Sequence, residues 1–135
     1  MLRLLVADKN VNARKQIAGI LIEAGYDVMV TDSVVKAMQD VLHNNARVLL
    51  LGAELEGLNS AELLPLLKLC NRRLAIILVA DEAPLPLMRK VRKEGIFYHA
   101  LRPKVSEDHE EIRQVVKCAI HSLSRTQGSH HILIH

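Results

Sequence analysis

Five short apolar runs punctuate the chain, at Leu2 to Ala7, Asp27 to Thr31, Arg47 to Leu51, Leu74 to Ala80 and Gly95 to Leu101. Such runs, rich in Leu, Val and Ile, suit strands buried on both faces. Between them apolar residues return every three or four positions. Ile17, Ile20, Leu21 and Ala24 form one such stripe, Val34, Ala37, Met38, Val41 and Leu42 a second, and Ile112, Val115, Val116, Ala119 and Leu123 another. That spacing keeps one face of a helix apolar. Strand and helix alternate throughout, and a parallel crossover needs a helix-sized connection, so the pattern predicts an α/β fold with a doubly wound five-stranded parallel sheet. Gly25 is placed to close the first helix, Ser33 to cap the second, Asn59 or Ser60 the third, Gly95 to end the fourth and Ser106 to cap the fifth.

Two helices depart from a simple one-sided stripe. The third, AELLPLLKLC, is apolar nearly all round with Glu62 and Lys68 its only charges, so it needs cover on more than one side. Pro65 removes a backbone donor inside it and predicts a kink. The fourth carries Arg89, Lys90, Arg92 and Lys93, with Arg72 and Arg73 in the loop before the fourth strand, which makes one side of the domain positive.

Composition narrows the function classes. Of 135 residues half are apolar and 24% charged, enough for one compact domain over residues 1–125. Two Tyr, one Phe and no Trp leave little to stack on bases, so a net charge of +3 does not by itself argue for nucleic acid. No run reaches the roughly 18 apolar residues of a membrane span, and MLRLLVAD lacks a signal peptide's length, so the expectation is a cytoplasmic protein without membrane contact. Cys70 and Cys118 sit in apolar helical patterns, form no CxxC pair, and read as inert core thiols in a reducing compartment. Residues 126–135, ending GSHHILIH, read as an altered polyhistidine tag remnant. The rival for that tail is a short strand at Ile132 to Ile134, and His130 with His131 could bind a metal in isolation.

In an open parallel sheet ligands bind beyond the carboxyl ends of the strands, where the strand order reverses. The residues there are Asp8 and Lys9 after the first strand, Gly52 to Glu54 after the third, Val79 to Asp81 at the end of the fourth, and Arg102 with Pro103 after the fifth.

The segments RLLVAD, EAGYDVMVTDSVVKAMQDVL, VLLLGAELEGLNSAEL and HALRP, taken together, resemble a response-regulator receiver domain of two-component signalling, from Leu2 to about Leu123. The resemblance implies the flavodoxin-like order 2-1-3-4-5. It also implies a phosphorylated aspartate ending the third strand, two acids after the first strand that help hold magnesium, a hydroxyl residue ending the fourth strand, and a lysine before a cis-proline ending the fifth. Most of this machinery is missing. Asp8 keeps the first acid, but Lys9 stands at the second, Gly52 at the acceptor, Val79 at the hydroxyl and Arg102 at the lysine before Pro103, while His99 takes the place of an aromatic switch.

Without a carboxylate at Gly52 there is no nucleophile for phosphoryl transfer. A cation at Lys9 stands where magnesium would need oxygen ligands at about 2.1 Å. These substitutions predict a pseudo-receiver without catalytic residues, metal, magnesium or other cofactor, working in a phosphorelay-related pathway through a protein partner or a homodimer. Within the degenerate pocket, Asp8 is expected to be plugged by Lys9 and Arg102, the latter gripping it with two hydrogen bonds. Glu54 is expected to be a solvated loop acid, and His99 a hydrogen-bonded, half-buried histidine. An interaction surface is expected at Arg89, Lys90, Arg92, Lys93 and His99. Two alternatives stay open: an anion- or nucleotide-sensing domain that uses Lys9 and Arg102 as a clamp, and a nucleic-acid-associated regulator that uses the basic fourth helix.

Overall fold

The computed structural model describes the backbone of residues 3–81 and 85–134, and side chains as far as residue 123 apart from that of residue 85. Along the chain come β1 (Arg3–Ala7), α1 (Val11–Glu23), β2 (Asp27–Thr31), α2 (Val34–Leu42), β3 (Val48–Leu51), β4 (Glu54–Leu55), β5 (Leu58–Asn59), α3 (Ser60–Cys70), β6 (Ala75–Val79), α4 (Leu85–Glu94), β7 (Tyr98–Ala100) and α5 (Ser106–Ile134). Five strands form one sheet in the order β2-β1-β3-β6-β7, with every neighbouring pair parallel. Counted without the two short strands, this is the expected order 2-1-3-4-5. It reverses between β1 and β3.

The alternation of side chains along each strand divides the core into two layers. Leu5, Ala7, Leu49, Leu51, Ile76 and Leu78 pack against α2, α3 and α4 through Ala37, Val41, Leu63, Leu64, Leu67 and Val91. Leu4, Val6, Val48, Leu50, Ile77 and Val79 pack on the other side against α1 and α5, through Ile17, Ile20, Leu21, Ile112, Val116 and Ala119. The stripes read from the sequence are these buried faces. Two stripe residues lie outside them: Ala24, exposed at the end of α1, and Leu42 of α2, 61% exposed.

The boundary residues act as expected at four helices. Gly25 follows α1 at φ +96, Ser33 accepts from the Lys36 N–H at the start of α2, Asn59 caps α3 in a reciprocal box with Glu62, and Gly95 follows α4 at φ +96. The fifth differs: Ser106 is already the first residue of α5, and the Asp108 carboxylate instead accepts the N–H groups of Lys104 and Val105. These two bonds hold the Asp108 carboxyl below its ordinary range.

The hairpin of β4 and β5 was not legible as strands, because two residues are too few to show a period. Its turn places Glu56 at φ 48 and Gly57 at φ 81, the two left-handed positions of a tight hairpin. The Glu56 carboxylate accepts the Val34 N–H, which ties the hairpin to the first turn of α2.

Two expectations are corrected and one rival reading is set aside. The Arg102–Pro103 bond is trans, the default for X–Pro by about 0.5–1 kcal/mol; the Pro103 carbonyl accepts from Gln16 Nε2 at 2.9 Å. Cys118 is exposed, so it is not a core thiol; Val115, Val116 and Ala119 form the buried stripe of α5 and Cys118 falls beside it, whereas Cys70 is half-buried and packs against the core. The backbone at Ile132–Ile134 is helical, part of α5, rather than a strand. The tag reading of 126–135 and the His130–His131 pair concern side chains that lie outside the described residues.

Candidate functional site

The carboxyl edge of the sheet gathers the residues singled out in the sequence. Ala7 is registered with Leu51, so Asp8 and Gly52 are the next cross-strand neighbours, and both continue the parity of Val6 and Leu50. The Gly52 N–H donates to the Ala7 carbonyl at 2.8 Å, which locks that register one residue beyond the strands. Side chains on one face of neighbouring strands meet. Here only one of the two exists. The Asp8 carboxylate leans into the space above Gly52, so that a Cβ placed there would collide with Asp8 Cγ and Oδ2 and lie 2.8 Å from Oδ1. Gly52 is buried and Asp8 is 7% exposed.

Asp8 is positioned by backbone rather than by a counter-charge. Its Oδ1 accepts the Asn10 N–H at 2.9 Å, and Asn10 in turn caps α1 by accepting from the Ala13 N–H. Arg14 Nη1 donates to the Asp8 carbonyl at 2.7 Å and to that of Lys9 at 3.3 Å. The expected plug of Asp8 by Lys9 and Arg102 is not formed. Lys9 Nζ turns outward to Glu54 Oε2 at 2.8 Å, because consecutive residues leaving a strand point to opposite faces. Arg102 is half-buried and makes no hydrogen bond or ion pair among the described residues. Lys9, one half of the proposed anion clamp, is thus paired with Glu54. Glu54, expected on a solvated loop, lies on β4 as the partner of Lys9.

Val79 is 1% exposed and belongs to the apolar layer under α1 and α5. Val79 ends β6 and Ala80 follows it, so neither position offers a hydroxyl. His99 is half-buried as expected, and its Nε2 lies 3.0 Å from the Ala80 carbonyl. A carbonyl only accepts, so that nitrogen carries the proton. The ring is thereby turned to the end of β6. Arg89, Lys90, Arg92 and Lys93 are all exposed.

At the rim, Asp81 adds an acid and Lys104 a base, 4.0 Å apart. Three acids, Asp8, Glu54 and Asp81, therefore stand with four bases, Lys9, Arg14, Arg102 and Lys104, where the sequence suggested one acid against two bases. The donor set does not fit magnesium. Glu54 is committed to Lys9 and Gly52 brings no oxygen from a side chain, so Asp8 stands as a single carboxylate where octahedral oxygen coordination is required. No group of three or more His, Cys, Asp or Glu among the described residues could hold a metal ion. Sequence reasoning missed Asn10, Arg14 and Gln16. Asn10 carried a legible capping signal, whereas the reach of Arg14 and Gln16 to backbone carbonyls leaves none.

Compared with solved structures, the fold is that of receiver domains. The chain is similar to NtrX from Brucella abortus, with a TM-score of 0.85 and 18% identity over 98% of this chain and 30% of that one. It is also similar to the signal receiver domain of a modulated diguanylate cyclase from Desulfovibrio desulfuricans, with a TM-score of 0.79 and 21% identity over 93% and 99% of the two chains. A CheY-like receiver domain protein from Methanospirillum hungatei gives 0.76 and 16% over 96% and 98%. The chain thus spans less than a third of NtrX and nearly all of the other two. No protein-family profile and no curated protein matches the sequence.

Proposed function

We propose that the chain is an atypical response-regulator receiver module, non-enzymatic, which acts in signal transduction through contact with a protein partner or a second copy and without aspartyl phosphorylation. The observation that carries this reading is the Asp8 carboxylate lying in the space above Gly52. The acceptor side chain is absent, and its place is taken by a group that the Asn10 N–H and the start of α1 hold there. Contact surfaces remain available on the helices. Leu69 at the end of α3 is 83% exposed, and the four α4 cations are exposed without an ion pair among the described residues.

The test is exposure to acetyl phosphate, and separately to beryllofluoride, with magnesium. Mass, melting temperature and amide spectra are expected to stay unchanged. Uptake of a phosphoryl group at Glu54 or elsewhere in this pocket would overturn the reading. Gly52→Asp alone should remain unphosphorylated, since the new side chain meets Asp8 and Lys9 still stands in place of the second metal acid. The exposed α4 cations also favour a second reading, attachment to nucleic-acid phosphates. It predicts DNA or RNA binding that weakens steeply with salt and with Arg92→Ala/Lys93→Ala.

A further inference from the structure

The opposite, amino edge of the sheet holds a cavity of about 320 Å³ between the loop before β3, the end of α3, the loop before β6, the segment before β7 and the middle of α5. Lys68, Arg72 and Arg73 line it and no Asp or Glu does. None of these three cations has an acid partner among the described residues. Arg47 stands in the same wall but is already engaged with a neighbour. Lys68 is half-buried, and one of its three donors goes to the Leu74 carbonyl at 2.8 Å. The other two meet no acceptor among the described residues. Burial without an acid lowers its pKa, a cost that an incoming anion would offset.

The rest of the wall is apolar. Phe97, the single phenylalanine of the chain, borders the cavity and is 40% exposed, with Ile96 and Leu123 beside it. A flat aromatic face next to clustered cations suits a ligand that is anionic at one end and planar at the other. The volume lies at the small end of ligand sites, which run from about 300 Å³.

We propose that this cavity binds a nucleoside mono- or diphosphate, the phosphate held by Lys68, Arg72 and Arg73 and the base set against Phe97. The site is separate from the carboxyl edge and does not depend on the function proposed for it.

Calorimetric titration of the full chain with AMP, ADP, adenosine and inorganic phosphate tests the site, with amide shifts mapping where each lands. AMP or ADP is expected to bind at least tenfold more tightly than either adenosine or phosphate, shifting the amides of residues 72–74, 95–97 and 119–123. Arg72→Ala/Arg73→Ala removes two exposed side chains, so the fold persists, and it should weaken binding at least tenfold. Phe97→Leu should lower nucleotide affinity and leave phosphate affinity unchanged. Absence of nucleotide binding at millimolar concentration would overturn the proposal. So would phosphate binding as tightly as AMP, shifts that map to the carboxyl edge, or an equal loss from Arg92→Ala/Lys93→Ala on α4. A single-stranded oligonucleotide that binds these residues more tightly than the nucleotides would make the surface a nucleic-acid contact and overturn it as well.

Discussion

At the carboxyl edge of the sheet most charges answer one another, Arg102 apart, whereas at the amino edge Arg3 meets Asp27 but the cations around the cavity meet no acid among the described residues. Lys9 meets Glu54, Lys104 approaches Asp81, and Asp8 is satisfied by a backbone N–H at the entrance to α1. Lys68, Arg72 and Arg73 at the other edge have no acid among the described residues. The helix direction explains part of this. In a parallel α/β sheet the helices start at the carboxyl edge, where their positive ends favour anions, and finish at the amino edge, where their negative ends favour cations. Lys68 in the last turn of α3, and Arg92 with Lys93 in the last turn of α4, follow that rule. The difference teaches that this chain has answered the anion-attracting edge with its own carboxylate, while its cations at the other edge neutralise carbonyl dipoles and keep donors to spare.

The largest effect is expected at Gly52. Gly52→Ala puts a methyl group into the Asp8 carboxylate and should cost about 1–3 kcal/mol in urea unfolding, the usual range for overpacking. Most of that should vanish when the same change is made in an Asp8→Ala background. A neutral Gly52→Ala would break the comparison, because the carboxylate would then not fill that space. Glu56→Ala comes next, at about 1 kcal/mol, since it removes an acceptor from the first turn of α2 as a lost cap does. Its thermal midpoint should fall without a change in far-ultraviolet signal.

At the amino edge Lys68→Met should leave stability within about 1 kcal/mol of the parent, because relief of desolvation is set against a Leu74 carbonyl left without its donor. The pH profile is the sharper readout. Folded Lys68 gives up its proton below the ordinary 10.5, so the unfolded chain holds more protons between the two values and parent stability rises with pH across that window. The variant should lack that rise.

What was legible from the sequence is what burial dictates. The five sheet strands, their order and the helix stripes follow from apolar periodicity and from a resemblance carried by RLLVAD, VLLLGAELEGLNSAEL and HALRP. The position of Asp8 beside Gly52 was implied by strand ends, but its orientation was not, because that depends on the Asn10 N–H and on side-chain parity past the last registered pair. The plug by Lys9 and Arg102 failed for the same reason. Charge counting along the sequence ignores which face a side chain leaves from, and Lys9 leaves on the side of the unforeseen hairpin that carries Glu54. The amino-edge cavity is built by segments far apart in the chain, so Lys68, Arg72 and Arg73 were noted beforehand but not as one site.

The smallest effect falls on the pair that replaced the plug. Lys9 and Glu54 have side chains 60% and 41% exposed, so water screens their attraction and ordering two long side chains opposes it. A double-mutant cycle with Lys9→Ala and Glu54→Ala should return a coupling of about 0.2–1 kcal/mol, the range of exposed ion pairs. Raising the salt to about 1 M shortens the screening length to roughly 3 Å and should shrink it further. A parallel cycle of Lys9→Ala with Asp8→Ala should return less than the Glu54 cycle, as the two side chains share no contact. If the ranking is reversed, Lys9 spends its time on Asp8 in solution, the carboxyl edge is closed by a salt bridge after all, and its contrast with the amino edge rests on counter-charge rather than on backbone donors.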